Sequence, residues 1–140
     1  EFADGRRSRI AACTFSDSLR YPTWRGCRLW LHPHWQTWDS DHVSTGPVVP
    51  FGDRHLMFYN GRGGGAGQKV WAIGEVLFDP ETLEIVDLSS GPLITPPMDE
   101  IGWKEQYIAF ASGAMVKDKT VYLYHHIADR RIRCAVGTLP

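Results

Sequence analysis

Short alternating runs of apolar residues, with no helical stripe over any dozen positions, run through this chain. Three of these runs share one pattern: Arg9-Ile10-Ala11-Ala12-Cys13, Ala72-Ile73-Gly74-Glu75-Val76 and Arg131-Ile132-Arg133-Cys134-Ala135. The spacing is 63 residues from Ile10 to Ile73 and 59 from Ile73 to Ile132. A second pattern precedes the last two copies. Gly46-Pro47-Val48-Val49 leads to His55 through Tyr59, and Gly113-Ala114-Met115-Val116 leads to Val121 through Tyr124.

The runs predict strands at Ile10–Phe15, Arg28–Leu31, Val48–Pro50, Leu56–Tyr59, Val70–Phe78, Glu84–Leu88, Tyr107–Phe110, Ala114–Val116, Val121–Tyr124 and Ile132–Val136. Gly52-Asp53-Arg54 and Lys117-Asp118-Lys119 read as hairpin turns. A sixty-residue period of several strands is the signature of blades, so the chain reads as an all-β propeller holding a partial blade and then two more. Strand spacing alone also allows a sandwich.

Composition narrows the function. Net charge is −1, which gives no electrostatic case for nucleic acid or an anionic membrane. No run approaches the roughly 20 apolar residues of a membrane-spanning helix. No secretion signal is visible and the chain does not begin with Met, so the compartment stays open, with the cytoplasm as the default. Three cysteines without CxxC spacing suggest neither a disulfide framework nor a zinc site, and Cys13 and Cys134 read as buried free thiols. His32 and His34 share a strand face, but Pro33 interrupts it and no third ligand stands at fixed spacing, so no metal and no cofactor is assigned. Gly61-Arg62-Gly63-Gly64-Gly65-Ala66-Gly67 leads into a strand rather than a helix and reads as a flexible hairpin loop, not a phosphate cradle. Asp39, Asp79, Glu100 and Asp129 stand at strand ends, where the paired carboxylates of a glycosidase could arise. The tryptophans Trp24, Trp30, Trp35 and Trp38 offer a sugar-stacking surface if exposed.

Several ordered motifs add a resemblance. Thr14-Phe15-Ser16-Asp17-Ser18-Leu19 with Trp24, Trp38 through Pro47, Leu56 through Gly61, Ile73 through Asp79, Phe110-Ala111-Ser112-Gly113-Ala114, and Tyr124 through Asp129 together resemble the later part of glycoside hydrolase family 130. Those proteins are β-mannoside phosphorylases and mannosidases on a five-bladed β-propeller. The resemblance implies an all-β, partial five-bladed propeller of about two and a half blades. Residues 1–45 would form an incomplete blade and linker, 46–110 a blade, and 111–140 a partial last blade.

It also implies a mannoside site lined by Asp129, Asn60, Arg62, Asp39 and His42. The family's general acid lies in an N-terminal half that this chain lacks, so no catalytic residue is assigned. A complete relative would attack a β-mannoside with inversion. His42 stands where many members have Lys, and Asn60 where phosphorylases have His. A neutral amide lacks the charge-assisted bonds that phosphate prefers, so in a complete relative with these substitutions hydrolysis or another glycan activity fits better than phosphorolysis. His126 replaces a glycine and would narrow the pocket. Three roles follow: a mannoside-acting propeller part that is not catalytic alone, a non-catalytic carbohydrate-binding module, or a subunit that assembles with a second copy or a complementing chain.

Overall fold

The computed structural model describes residues 7–15, 24–34, 36–63, 69–99 and 107–138. Among these described residues, ten strands stand in antiparallel ladders, in three sheets. β1 (Ile10–Phe15) and β2 (Trp24–Leu31) form a two-stranded sheet. β3 (His42–Ser44) and β4 (Val48–Phe51) both pair with β5 (Arg54–Gly63), which continues to β6 (Val70–Phe78) and β7 (Ile85–Leu88). β8 (Ala109–Lys117), β9 (Thr120–Ile127) and β10 (Arg131–Thr138) form the third sheet.

Two cores join these sheets. Leu56, Phe58 and Ile73 pack against Ala109, Ala111, Val121 and Leu123 of the third sheet. Met57, Tyr59 and Val76, on the opposite face of the same strands, pack against Ile10 and Leu31 of the first. β5 therefore buries both of its alternating faces, and its residues from Leu56 to Gly61 are all buried. Each large apolar side chain so enclosed contributes about 1.5–3 kcal/mol.

The hairpin turns fix how the sheets correspond. Phe51 pairs with Arg54 around Gly52-Asp53, and Lys117 pairs with Thr120 around Asp118-Lys119. Counting from these turns sets Leu56, Phe58 and Asn60 on Tyr122, Tyr124 and His126. Their cross-strand partners, Ile73 opposite Asn60 and Ile132 opposite His126, then coincide. The environments differ. Ile73 is fully buried between two sheets, whereas Ile132 is 80% exposed on the outer face of the third.

Several expectations change. Tyr107–Phe110 and Ala114–Val116 are not two strands. A single β8 carries a bulge between Ala111 and Gly113, and that irregularity broke its apolar pattern. β3 was not anticipated, because three residues carry no readable alternation. Cys13 is not a free thiol: it stands opposite Cys27 across β1–β2 and is bonded to it. Cys134 is free but exposed rather than buried, since it lies on the uncovered face of β10.

Candidate functional site

The β3–β5–β6 ladder places His42, Arg62 and Trp71 side by side, because His42 pairs with Arg62 and Arg62 with Trp71. The third sheet joins at this end. Trp71 N–H donates to Tyr107 O at 2.9 Å, and Trp71 bridges to Ile108. Phe110 then meets Trp71 edge to face at 5.6 Å, and His126, paired with Phe110 in the β8–β9 ladder, stacks on it at 5.5 Å. A row of rings thus crosses from one sheet to the next. The Arg62 guanidinium lies 5.5 Å above the Trp71 ring, in cation–π range.

Beside this row opens a cavity of about 770 Å³, walled by His42, Arg62, Trp71, Phe110, Ser44 and the Cys13–Cys27 pair. Asp41 organises its cations. Its Oδ2 lies 2.8 Å from Lys69 Nζ and 3.1 Å from Arg62 Nη2. The Lys69 hydrogen bond, with the charges of Lys69 and Arg62, outweighs burial and holds the Asp41 carboxyl below its ordinary range. Arg62 Nε–H is buried without a hydrogen-bond partner among the described residues. Ser8 N–H points at His42 Nδ1 from 2.9 Å. An acceptor role for Nδ1 assigns the ring proton to Nε2, 3.9 Å from Asp41 Oδ2.

The five residues expected at a sugar site are dispersed. His42 and Arg62 line the cavity. Asn60 is fully buried behind it: its Nδ2 donates to Thr45 O at 3.1 Å and its Oδ1 accepts Ala111 N–H at 2.7 Å, tying β5 to the bulge of β8. Asp39 is also enclosed. It accepts Tyr59 O–H at 2.9 Å and the Thr37 hydroxyl, with His34 Nδ1 at 2.8 Å. Burial and the neighbouring Asp39 charge push the Tyr59 phenol well above its usual range. Asp129 is 60% exposed in the β9–β10 turn, beyond the end of the ring row. His126 Nδ1 lies 3.1 Å from its Oδ1, close enough for an ion pair but without hydrogen-bond alignment.

The other candidates also resolve. Asp79 accepts the backbone N–H groups of Glu81 and Thr82 at 2.9 Å and pairs with Arg54, so it serves a turn. Glu100 and Trp35 lie outside the described residues, and nothing is described of the Trp24 side chain. Trp30 and Trp38 are not exposed platforms. Trp30 Nε1 donates to Leu83 O at 2.7 Å with its ring against Phe78, and Trp38 packs on Tyr59. Among the described residues no group of three or more His, Cys, Asp or Glu is placed to hold a metal ion. Trp71 and Lys69 were not singled out by sequence, and Asp41 stood out only within the crowd of His32, His34, Asp39 and His42 and the Trp38–Pro47 motif. Trp71 lies inside the predicted Val70–Phe78 strand and Lys69 immediately precedes it.

No family model matches the chain. A 1,2-β-oligomannan phosphorylase from Thermoanaerobacter sp. (strain X514) is 33% identical to it over 128 residues. The resemblance to glycoside hydrolase family 130 holds. The match covers 87% of this chain and 40% of the length of that curated relative. The β-1,2-mannobiose phosphorylase of Listeria innocua, solved with β-1,2-mannobiose, superposes with a TM-score of 0.71 at 20% identity, covering 83% of this chain and 33% of its own. A structure from the family-130 hydrolases that target β-1,2 mannosidic linkages in Candida mannan superposes with a TM-score of 0.74 at 23% identity, covering 93% and 40%. At those identities the structures establish the family-130 fold alone. The all-β sheets described above are part of it.

Proposed function

We propose that this chain supplies one side of a β-1,2-mannoside site and binds the glycan without cleaving it alone. The observation that carries this reading is the cavity wall. It offers an aromatic row, hydroxyls, and an arginine whose buried Nε–H has no partner, but among the described residues no carboxylate lines it. Sugars are held by such rings and donors. Glycoside cleavage by inversion needs two carboxyl groups roughly 6.5–9.5 Å apart across the bond. The acid and its partner would therefore come from outside the described residues, in line with relatives more than twice as long. Arg62 would donate to a sugar hydroxyl, and Trp71 and Phe110 would contact the ring face.

The outer face of β8–β10 supports completion by another sheet. Tyr122, Tyr124 and Ile132 stand where Leu56, Phe58 and Ile73 pack on a neighbour, yet Tyr124 and Ile132 are exposed, as are Met115 and Val136. A face of this kind marks an interface. The occupant would be a complementing chain or a second copy. Hydrolysis would be favoured over phosphorolysis within the completed site, because the Asn60 amide is neutral, buried and bonded to Thr45 and Ala111.

Calorimetric titration with β-1,2-manno-oligosaccharides, beside a product assay with and without phosphate, tests this. Saturable binding without product is expected. Turnover by the lone chain, or no binding at millimolar sugar, would refute it.

A further inference from the structure

A second cavity system lies away from the ring row. One groove of about 330 Å³ runs between the middle and third sheets, walled by Phe58, Leu93, Ile94, Leu123 and Val136. A neighbouring one of about 350 Å³ continues over Phe51, Leu77 and Leu88. Leu56, Glu75 and Thr138 line both, so the two adjoin at Glu75. Glu75 sits on the core-facing side of β6, in step with Ile73 and Leu77. Its backbone is fixed: its N–H donates to Ser89 Oγ at 3.1 Å, and its carbonyl accepts Ser89 N–H at 3.0 Å.

Its carboxylate is left with apolar walls and one charged neighbour of the same sign. Asp87 of β7 also lines the second groove. The titratable groups of the two walls are Glu75 and Asp87 alone, since β5, β9, β10 and the Leu93–Ile94 segment contribute none. No described cation pairs with Glu75, whereas Asp41 holds Lys69 and Arg62, and Asp79 holds Arg54. Burial first, and then Asp87, raise the Glu75 carboxyl above its ordinary range. A charge in that setting gains most from a counter-ion that also fills the apolar trough.

We infer that this groove binds a small organic cation, a protonated alkylamine, with its ammonium against Glu75 and Asp87 and its hydrocarbon along Phe58, Leu123 and Ala135. The dimensions suit a chain of a few methylenes. An anion would meet two carboxylates, and a neutral alcohol would leave them unpaired. Both sheets that form the groove belong to this chain, so the site does not depend on completion of the mannoside cavity.

The test uses hexylammonium chloride, hexan-1-ol and hexanoate as probes, followed by amide chemical shifts. Hexylammonium should move the Ile94, Leu123 and Val136 amides saturably, while hexanol binds at least tenfold more weakly and hexanoate not at all. Glu75→Gln should weaken hexylammonium about tenfold. In the unaltered chain the affinity should fall as pH drops through the raised Glu75 range, a readout that needs no variant. Saturating β-1,2-mannobiose should leave the amine titration unchanged. Equal binding of hexanol and hexylammonium, indifference to pH, or shifts confined to the ring row would overturn the inference.

Discussion

Gly61→Ala tests how the sheet beneath the cavity is built. Gly61 lies in β5, where an added Cβ would come within 2.5 Å of Trp38 Cζ3 and 2.6 Å of Asp39 Cβ. Neither neighbour can withdraw freely. Trp38 is also pressed on Gly74, whose own added Cβ would lie 2.6 Å from the same indole, while Asp39 is held by Tyr59, Thr37 and His34. Overpacking alone costs about 1–3 kcal/mol. Pulling Asp39 away from the Tyr59 hydroxyl forfeits a further charged hydrogen bond of about 1.5–3 kcal/mol. The expected loss is therefore about 3 kcal/mol, which for a chain of this size lowers Tm by roughly 10 °C. Urea unfolding followed by tryptophan fluorescence measures it. Gly91→Ala is the control, because nothing lies within 4 Å of its added Cβ. A Gly61→Ala loss below about 0.5 kcal/mol, the range of an ordinary surface change, would refute the argument.

Three further outcomes follow from the same geometry. Trp71→Ala should weaken β-1,2-mannobiose binding about tenfold by calorimetry, while unfolding remains cooperative. Because the folded Asp41 carboxyl titrates below its unfolded value, its ion pairs stabilise the fold above about pH 4 and are lost as pH falls through the lowered folded value. Unfolding free energies from pH 2 to 6 should accordingly be flatter for Asp41→Asn than for the parent. Reduction of Cys13–Cys27, 14 residues apart, should cost about 3 kcal/mol in the chain-entropy picture, and Cys13→Ser with Cys27→Ser should show the same loss without reductant.

Much of the fold was legible because apolar alternation and turn residues are local. Val70–Phe78 was read with the bounds the structure shows, and Ile73 and Ile132 do occupy matching register positions. What local pattern cannot convey is which face meets a neighbour: the same strand position is buried at Ile73 and exposed at Ile132. The disulfide was invisible for a related reason, since only the β1–β2 register brings Cys13 opposite Cys27. The glycines misled most. Gly61 and Gly63 suggested loop freedom, yet they are strand residues kept small by Trp38. Asn60 and Asp39 carried motif weight but proved to be interior hydrogen-bonding groups, because a motif does not state the direction in which its side chains point.

The most direct test of the central claim is the Trp71 indole N–H resonance during titration with β-1,2-mannobiose, with the sugar followed in the same tube. The account predicts a saturable shift at Trp71 while the disaccharide stays intact. An unmoved Trp71 resonance, or mannose released by this chain alone, would contradict it.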